Sequence, residues 1–270
     1  MNASTSFGEY LRGRREQLRP EDVGLSAGDR RRVPGLRREE VALLAGISTE
    51  YYLRLEQGRD RHPSAQVLDS IGQALQLDDE ARAYLLSLSQ PTIVRRPRRA
   101  AETVSSGARS LIDSWTATPA YIDGASFTVL AANPLAVALS PHFAPGENTL
   151  RALFLDPEMR TFYRDWESIT ANAVPYLRSM IGSDVDDPRA VSLIGELSLR
   201  SDRFRALWVR QDVRYRPSGM TRMQHPLVGP LELRYEKLLL PGKNQVLVAY
   251  HAEPASESAE RLQLLASLTS

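Results

Sequence analysis

Apolar residues recur every three to four positions through the first ninety residues, then give way to a mixture of helical and alternating patterns. Phe7, Tyr10, Leu11 and Leu18 lie on one stripe and predict a first helix over Phe7 to Leu18. Arg38 to Ala45 predicts a second, with Val41 and Leu44 at i, i+3 and Ala42 small enough for a close crossing. Gly46 suits the left-handed backbone that ends a helix. Ile47 then packs back, and Ser48 is a good N-cap for a third helix with Tyr52 and Leu55 inward, closed by Gly58. Ser64 caps a fourth helix bearing Val67, Leu68, Ile71 and Leu75. Asp78 opens a fifth, with Ala81, Leu85 and Leu88 inward and acids in the first turn, as the helix dipole favours. These five short helices predict one compact all-α domain over residues 1–90.

Pro20 to Gly35 interrupts that pattern with a polar insertion rich in Gly, Pro and Arg, either a flexible loop or a segment that orders on a polyanion. Residues 91–106 carry Pro, Arg, Ser and Gly with little periodicity and read as an arginine-rich linker. Residues 107–270 read as a second domain. Ala108 to Trp115 predicts a helix, and Ala120 to Ala132 two strands around an Asp123-Gly124 turn. Asn133-Pro134 starts another helix, and Thr149 to Met180 and Pro188 to Trp208 supply several more. Arg214 to Met223, Leu231 to Leu240 and Gln245 to Ala252 are strand-rich, and Ser256 to Leu268 is a closing amphipathic helix. Antiparallel strands wrapped by helices make an α+β, sensor-like layout and not a doubly wound sheet.

Arg37 to Gly58 has the spacing of a helix-turn-helix, a unit that lays its second helix in the DNA major groove. Its outward positions after the Ser48 cap are Thr49, Glu50, Leu53 and Arg54, with Tyr51 at the side. Glu50 can accept from a cytosine amino group, the Thr49 methyl can touch thymine, and Arg54 can fork onto guanine. Arg37, Arg38, Arg59 and Arg61 flank the helices and suit phosphate contacts. The alternative is an ordinary helical hairpin, in which Glu50 and Arg54 are only an i, i+4 pair supporting a surface helix.

A net charge of +1 does not announce a nucleic-acid binder, but the distribution adds weight. Arg12, Arg14, Arg15 and Arg19 lie on or just after the first helix, Arg30 to Arg38 holds five arginines and no acid, and Arg95 to Arg99 holds four more. Only Lys237 and Lys243 are lysines, which codon bias explains as well as a choice of arginine for phosphate forks. Absence of cysteine excludes disulfides and thiolate metal sites and fits a cytoplasmic protein. No apolar run is long enough for a membrane span. His62, His142, His225 and His251 show no metal-ligand spacing, and neither a nucleophile elbow nor a phosphate loop occurs. No catalytic residue, metal or cofactor is therefore expected.

VPGLRREEVALLAGIS followed by YY-x-RLEQGR resembles the Xre-type, lambda-repressor-like DNA-binding domain of the MmyB-like transcription regulators. The second half resembles that family's ligand-binding domain through NPLAVAL (Asn133 to Leu139), FLDPEMRTFYRDWE (Phe154 to Glu167), ELSLRSDRF-x-x-LW (Glu196 to Trp208), HPLVGPLELRYE (His225 to Glu236) and the AEP turn at Ala252 to Pro254. The resemblance implies a five-helix DNA-binding head followed by a PAS-like ligand-binding domain, with a fatty acid as the ligand suggested for the fold. One departure is Gln211-Asp212-Val213, where the family tends to have His-Asp-Val.

An amphipathic acid needs an apolar tunnel and a polar end-piece. Wall candidates are Phe127, Leu153, Phe162, Trp166, Met180, Leu207, Trp208 and Met223; carboxylate candidates are Arg164, Arg178 and His225, with Tyr235 beside them. Plain core packing is the alternative for each wall residue, a surface or ion-pair role for each arginine, and a structural turn for His225. The resulting expectation is a homodimeric regulator on a palindromic DNA operator, at work in the nucleoid, with two reading helices roughly 34 Å apart. A C-terminal domain that only dimerises is the competing reading, and an acyl-processing enzyme a third.

Overall fold

The computed structural model describes residues 3–25, 34–60, 63–89, 102–181, 187–213, 216–241 and 244–268. Arg61 and most of the 91–106 linker, with its four arginines, lie outside the described residues. Two compact units share the chain: Met1–Val94 with Val174–Ser198 and Asp202–Tyr215, and Arg95–Ala173 with Leu199–Ser201 and Arg216–Ser270. The helices in chain order are α1 (Ala3–Gln17), α2 (Arg38–Leu44), α3 (Thr49–Glu56), α4 (Ala65–Ala74), α5 (Asp79–Ser89), α6 (Ser106–Asp113) and α7 (Pro134–Leu139). They continue with α8 (Thr149–Leu155), α9 (Met159–Phe162), α10 (Trp166–Ile181), α11 (Pro188–Arg200), α12 (Asp202–Val209) and α13 (Glu257–Ser267).

In the first unit the predicted stripes meet. Phe7, Tyr10 and Leu11 of α1 are buried with Val41, Ala42, Tyr52, Leu55, Leu68, Ile71 and Leu85. Gly46 has φ +67, as a helix-ending glycine requires. The Ser48 hydroxyl accepts from the Tyr51 N–H at 3.1 Å and fixes where α3 begins. Ser48→Ala should lower thermal stability by about 1 kcal/mol, the usual loss for a removed cap; an unchanged melting curve would show that the cap is dispensable.

The α3 stripe extends one residue beyond the sequence expectation. Glu56, four residues after Tyr52, is buried, and both its carboxylate oxygens accept from Arg15 at 3.0 Å. Arg38 donates to the same carboxylate at 2.9–3.0 Å, and Arg15 also donates to the Leu36 carbonyl at 2.8 Å. One buried acid thus ties together α1, α2 and α3. Gly8 makes the close approach of α1 possible, since a Cβ there would stand 2.2 Å from the Glu56 carbonyl oxygen.

The end of α10, most of α11 and all of α12 cluster with these helices. Arg178, 1 % exposed, donates to the carbonyls of Trp208 at 2.8 Å and Asp212 at 3.1 Å and lies 4.0 Å over the Trp208 ring. Burial lowers its pKa, while Tyr84, Tyr10 and Asp212 nearby oppose that shift. Asp212 accepts from Arg14 at 3.2 Å, Gln211 packs on Gly13, and Val213 joins the helical core. The Gln-Asp-Val tripeptide that departs from the family pattern is therefore part of the packing around α1.

The second unit is built on a five-stranded antiparallel sheet, β1 (Ala120–Asp123), β2 (Val129–Ala132), β3 (Ser218–His225), β4 (Gly229–Leu240) and β5 (Gln245–His251), in the order β2-β1-β5-β4-β3. Side chains alternate between its faces. Ile122, Ala120, Ala131, Leu247 and Ala249 share one face, packed with Ile112 of α6. Registers place Tyr121 beside Val248 and Lys237, Tyr250 beside Tyr235, and Thr221 beside Leu233 on the other. That second face is the one whose residues stay inward along β3 and β4, where Arg222, Arg234, Glu232 and Glu236 point outward.

The Asp123-Gly124 pair is not the tight turn that its sequence suggests. β1 and β2 are joined by residues 124–128, in which Gly124 donates to the Thr128 carbonyl at 2.9 Å and Phe127 holds φ +60. Asp123 is thereby the last residue of β1 and is buried, not a turn corner.

Candidate DNA-reading surface and effector site

α3 separates its residues cleanly. Tyr52, Leu55 and Glu56 are buried, whereas Thr49, Glu50 and Arg54 are exposed, with Tyr51 and Leu53 half-buried between them. The Arg54 guanidinium lies 5.4 Å from the Tyr51 ring centre and 3.6 Å from the Glu50 carboxylate. Arg37 is exposed beside Glu39 at 3.4 Å, and its backbone N–H donates to the Glu40 carboxylate at 2.6 Å, closing the start of α2. Arg59 is exposed after the end of α3. Arg38 carries a packing task that the motif did not reveal, because its guanidinium is spent partly on Glu56. Arg37, Arg38 and Thr49 line one open cleft of about 480 Å³ with Arg15, Glu16, Pro34, Gly35 and Glu39.

The nominated ligand residues divide. Phe127, Phe162, Trp166 and Met223 are buried in the second unit, and the Trp166 indole N–H donates to the Leu153 carbonyl at 2.9 Å. Tyr163 pairs with Met223 in an isolated bridge, so the chain after α9 lies along β3. Arg178, Met180 and Trp208 cluster instead with the first unit, where main-chain carbonyls take the Arg178 guanidinium. Arg164 is exposed. His225 is buried with both ring nitrogens used: Nδ1 accepts from the Leu227 and Val228 N–H groups at 3.2 and 3.4 Å. Nε2 therefore carries the proton and donates to the Ala138 carbonyl at 2.9 Å. His225 is thus held by three backbone groups, as a structural turn histidine is; of the three carboxylate candidates, Arg164 and His225 belong to the second unit and Arg178 to the first.

A different polar cluster does form. Asp123, Tyr121, Tyr250 and Lys237 share the inward face of the sheet, joined by Thr149 of α8 and by Tyr163 after α9. The Thr149 hydroxyl donates to Asp123 Oδ2 at 3.4 Å, and the hydroxyls of Tyr121 and Tyr163 lie close to that of Tyr250. Phe143 stacks at 4.7 Å on Tyr121 and 5.7 Å on Tyr250. Tyr235 meets Tyr250 edge-on at 6.4 Å, and the Lys237 ammonium stands 5.4 Å from the Tyr235 ring. Burial pushes the Asp123 carboxyl up to about 7, against the attraction of Lys237 and the Thr149 hydrogen bond. Burial likewise pulls the Lys237 ammonium down to about 8, against Asp123, and drives the Tyr121 and Tyr163 hydroxyls well above the ordinary tyrosine value.

One signal for this cluster was visible in the chain. Lys237 is one of two lysines and falls on the inward register of Leu231, Leu233 and Tyr235. Asp123 was hidden by the Asp-Gly turn signature. Among the described residues no group of three or more His, Asp or Glu could hold a metal ion, and no helix is long and apolar enough to cross a membrane.

Comparison with known proteins supplies the context for these two units. A helix-turn-helix domain family model matches residues 6–85. The model for the MmyB-like transcription regulator ligand binding domain matches residues 104–265, well over half the chain. The search of curated proteins gives no match. With a capped second helix of the motif, polar on its exposed side, in the first match and an antiparallel sheet with a buried polar face in the second, the chain belongs to the MmyB-like transcription regulators, joining a helix-turn-helix DNA-binding domain to a ligand-binding domain.

Proposed function

We propose that the protein is a homodimeric, sequence-specific regulator, active in the nucleoid, that lays α3 of each protomer into the major groove of a palindromic operator. The observation that carries this is the division of α3: three residues anchor it and three polar side chains stand free of the core. Thr49, Glu50 and Arg54, with Tyr51 a lesser contact, read base edges, while Arg37, Arg38, Arg59 and Arg61 with the Ser48 region meet phosphates. The contacts of Arg54 with Tyr51 and Glu50 hold its fork near the groove side before DNA arrives, which reduces the ordering cost of binding. Two heads are needed because one reading helix covers only a half-site.

The C-terminal domain is PAS-like in this reading, supported by the strand order β2-β1-β5-β4-β3, and senses a small amphipathic molecule. A fatty acid is the class that the family resemblance suggests; Phe127, Leu153, Phe162, Trp166 and Met223 are the wall candidates within the second unit, and Tyr235 is a candidate for its polar end. A ligand alters operator affinity only through unequal binding to two arrangements of the protein.

Genomic footprinting followed by titration on the operator found tests the DNA half. Arg54→Ala should leave the fold intact and lose discrimination at one base pair per half-site, by about 1–3 kcal/mol. Undiminished discrimination would remove Arg54 from the reading set. Light scattering of the operator complex at one protomer per site would refute the dimer.

A further inference from the structure

Asp123 is the only charged residue, among the described ones, with a buried side-chain oxygen that has no hydrogen-bond partner. Its Oδ2 accepts from Thr149, but its Oδ1 has no hydrogen-bond partner, and the residue is only 6 % exposed. Folded proteins leave few buried polar atoms in that state, and a water or a ligand meets most of those that remain. The surroundings are polar as well as aromatic. Thr149 of α8 donates to Asp123 Oδ2, Lys237 of β4 attracts the carboxylate, and Tyr121, Tyr163 and Tyr250 lie near enough for its charge to raise their pKa values, beside the stacked rings of Tyr121, Phe143 and Tyr250. An apolar core of the same shape would need none of them.

We propose that Asp123 Oδ1 is the polar pole of the effector site, and that the effector offers it a neutral hydrogen-bond donor, a hydroxyl or a carboxamide, in place of a free carboxylate. The proposal rests on the effector-sensing reading above, keeps its small amphipathic molecule and replaces the acid head suggested there by a neutral one. Two carboxylates at one buried pole repel, so one of them must take up a proton before both fit. The positive charge of Lys237 is already offset by Asp123 itself and leaves no net cation for an acid. A hydroxyl or amide head brings a donor and no charge, and the aromatic face takes the apolar remainder of the molecule.

Three probes of equal chain length separate these chemistries: decanamide, decan-1-ol and decanoate, titrated at pH 8 into the full-length protein with calorimetric readout. The amide and the alcohol should bind at least about tenfold tighter than decanoate. Asp123→Asn should reverse that order, because it removes the repelling charge and leaves Lys237 to attract the acid. The order measured on the wild-type protein decides the matter even if the variant fails to fold. Decanoate binding as tightly as decanamide, an order unchanged in Asp123→Asn, or no binding of any probe (a pole filled by water alone) would each overturn the proposal. Operator titrations in the same samples separate it from the broader reading. If decanamide binds through Asp123 and leaves operator affinity unchanged, sensing fails and the pole stands. If decanoate binds tightest and shifts operator affinity, sensing stands and the pole fails.

Discussion

Glu56→Ala should cost the DNA-binding head about 3–5 kcal/mol, enough to unfold it or nearly so, since that is the usual penalty for breaking a buried ion pair from one side. The Glu56 side chain is 2 % exposed and that of Arg15 is 7 %. Without the carboxylate, Arg15 keeps the Leu36 carbonyl and a longer contact to Glu16 at 3.5 Å, and its charge is left in the core. Arg38, 45 % exposed, can turn to water, so Arg38→Ala should cost far less stability while weakening all DNA about equally. The pair is not irreplaceable in principle. Arg15→Met combined with Glu56→Leu removes both charges and should recover most of the loss, as apolar replacements of buried pairs often do. Urea unfolding followed by circular dichroism measures all three variants. A Glu56→Ala loss below about 1 kcal/mol, the range of a surface pair, would show that the network does not hold the helices.

Stability of the second unit should fall as pH rises from about 4 to about 7, through Asp123. Its carboxyl titrates near 7 when folded, against an ordinary value of 3.8, so the folded chain holds a proton that the unfolded chain releases. The contribution is complete below 3.8 and is lost as pH passes through 7, amounting to about 4 kcal/mol at most. Lys237 acts in the opposite direction and in another window. Its value is lowered to about 8 from 10.5, so its contribution is present above 10.5 and lost as pH falls through 8. Together the two groups place their least favourable range near pH 7–8, where a bound effector would matter most. Other carboxylates add their own slopes, and the difference between Asp123→Asn and wild type isolates this one. Chemical unfolding at pH 5 and pH 7.5 should show the variant gaining on the wild type at the higher pH; equal differences at both would refute the assignment.

The DNA-binding motif was legible because every determinant is local. Gly46, the Ser48 cap and the Tyr52–Leu55 spacing act within a few residues of one another, and periodicity alone separates the inward face of α3 from Thr49, Glu50 and Arg54. Even there Glu56 escaped notice, since a carboxylate on an apolar stripe is tolerated only when Arg15, 41 residues away, is folded against it. The effector face was less legible. Arg178 and Trp208 had the right composition for a ligand pocket, yet they meet each other, Tyr84 and Asp212 around the helical head. His225 had the right chemistry, and three backbone groups satisfy it.

What the sequence determined by itself is the order of helices and strands, the helix-turn-helix with its outward positions, and the family. These follow from spacing, caps and turn residues, which act over one or two turns of chain. Only the tertiary structure decided that Glu56 is the buried tie of the head, that residues from Val174 to Ser198 and from Asp202 to Tyr215 cluster with that head, and that Asp123 is an inward strand residue among tyrosines. Burial of a charged group is settled by what long-range packing brings to it, and the charges of Glu56, Arg178 and Asp123 are each compensated, or left open, by residues distant in the chain.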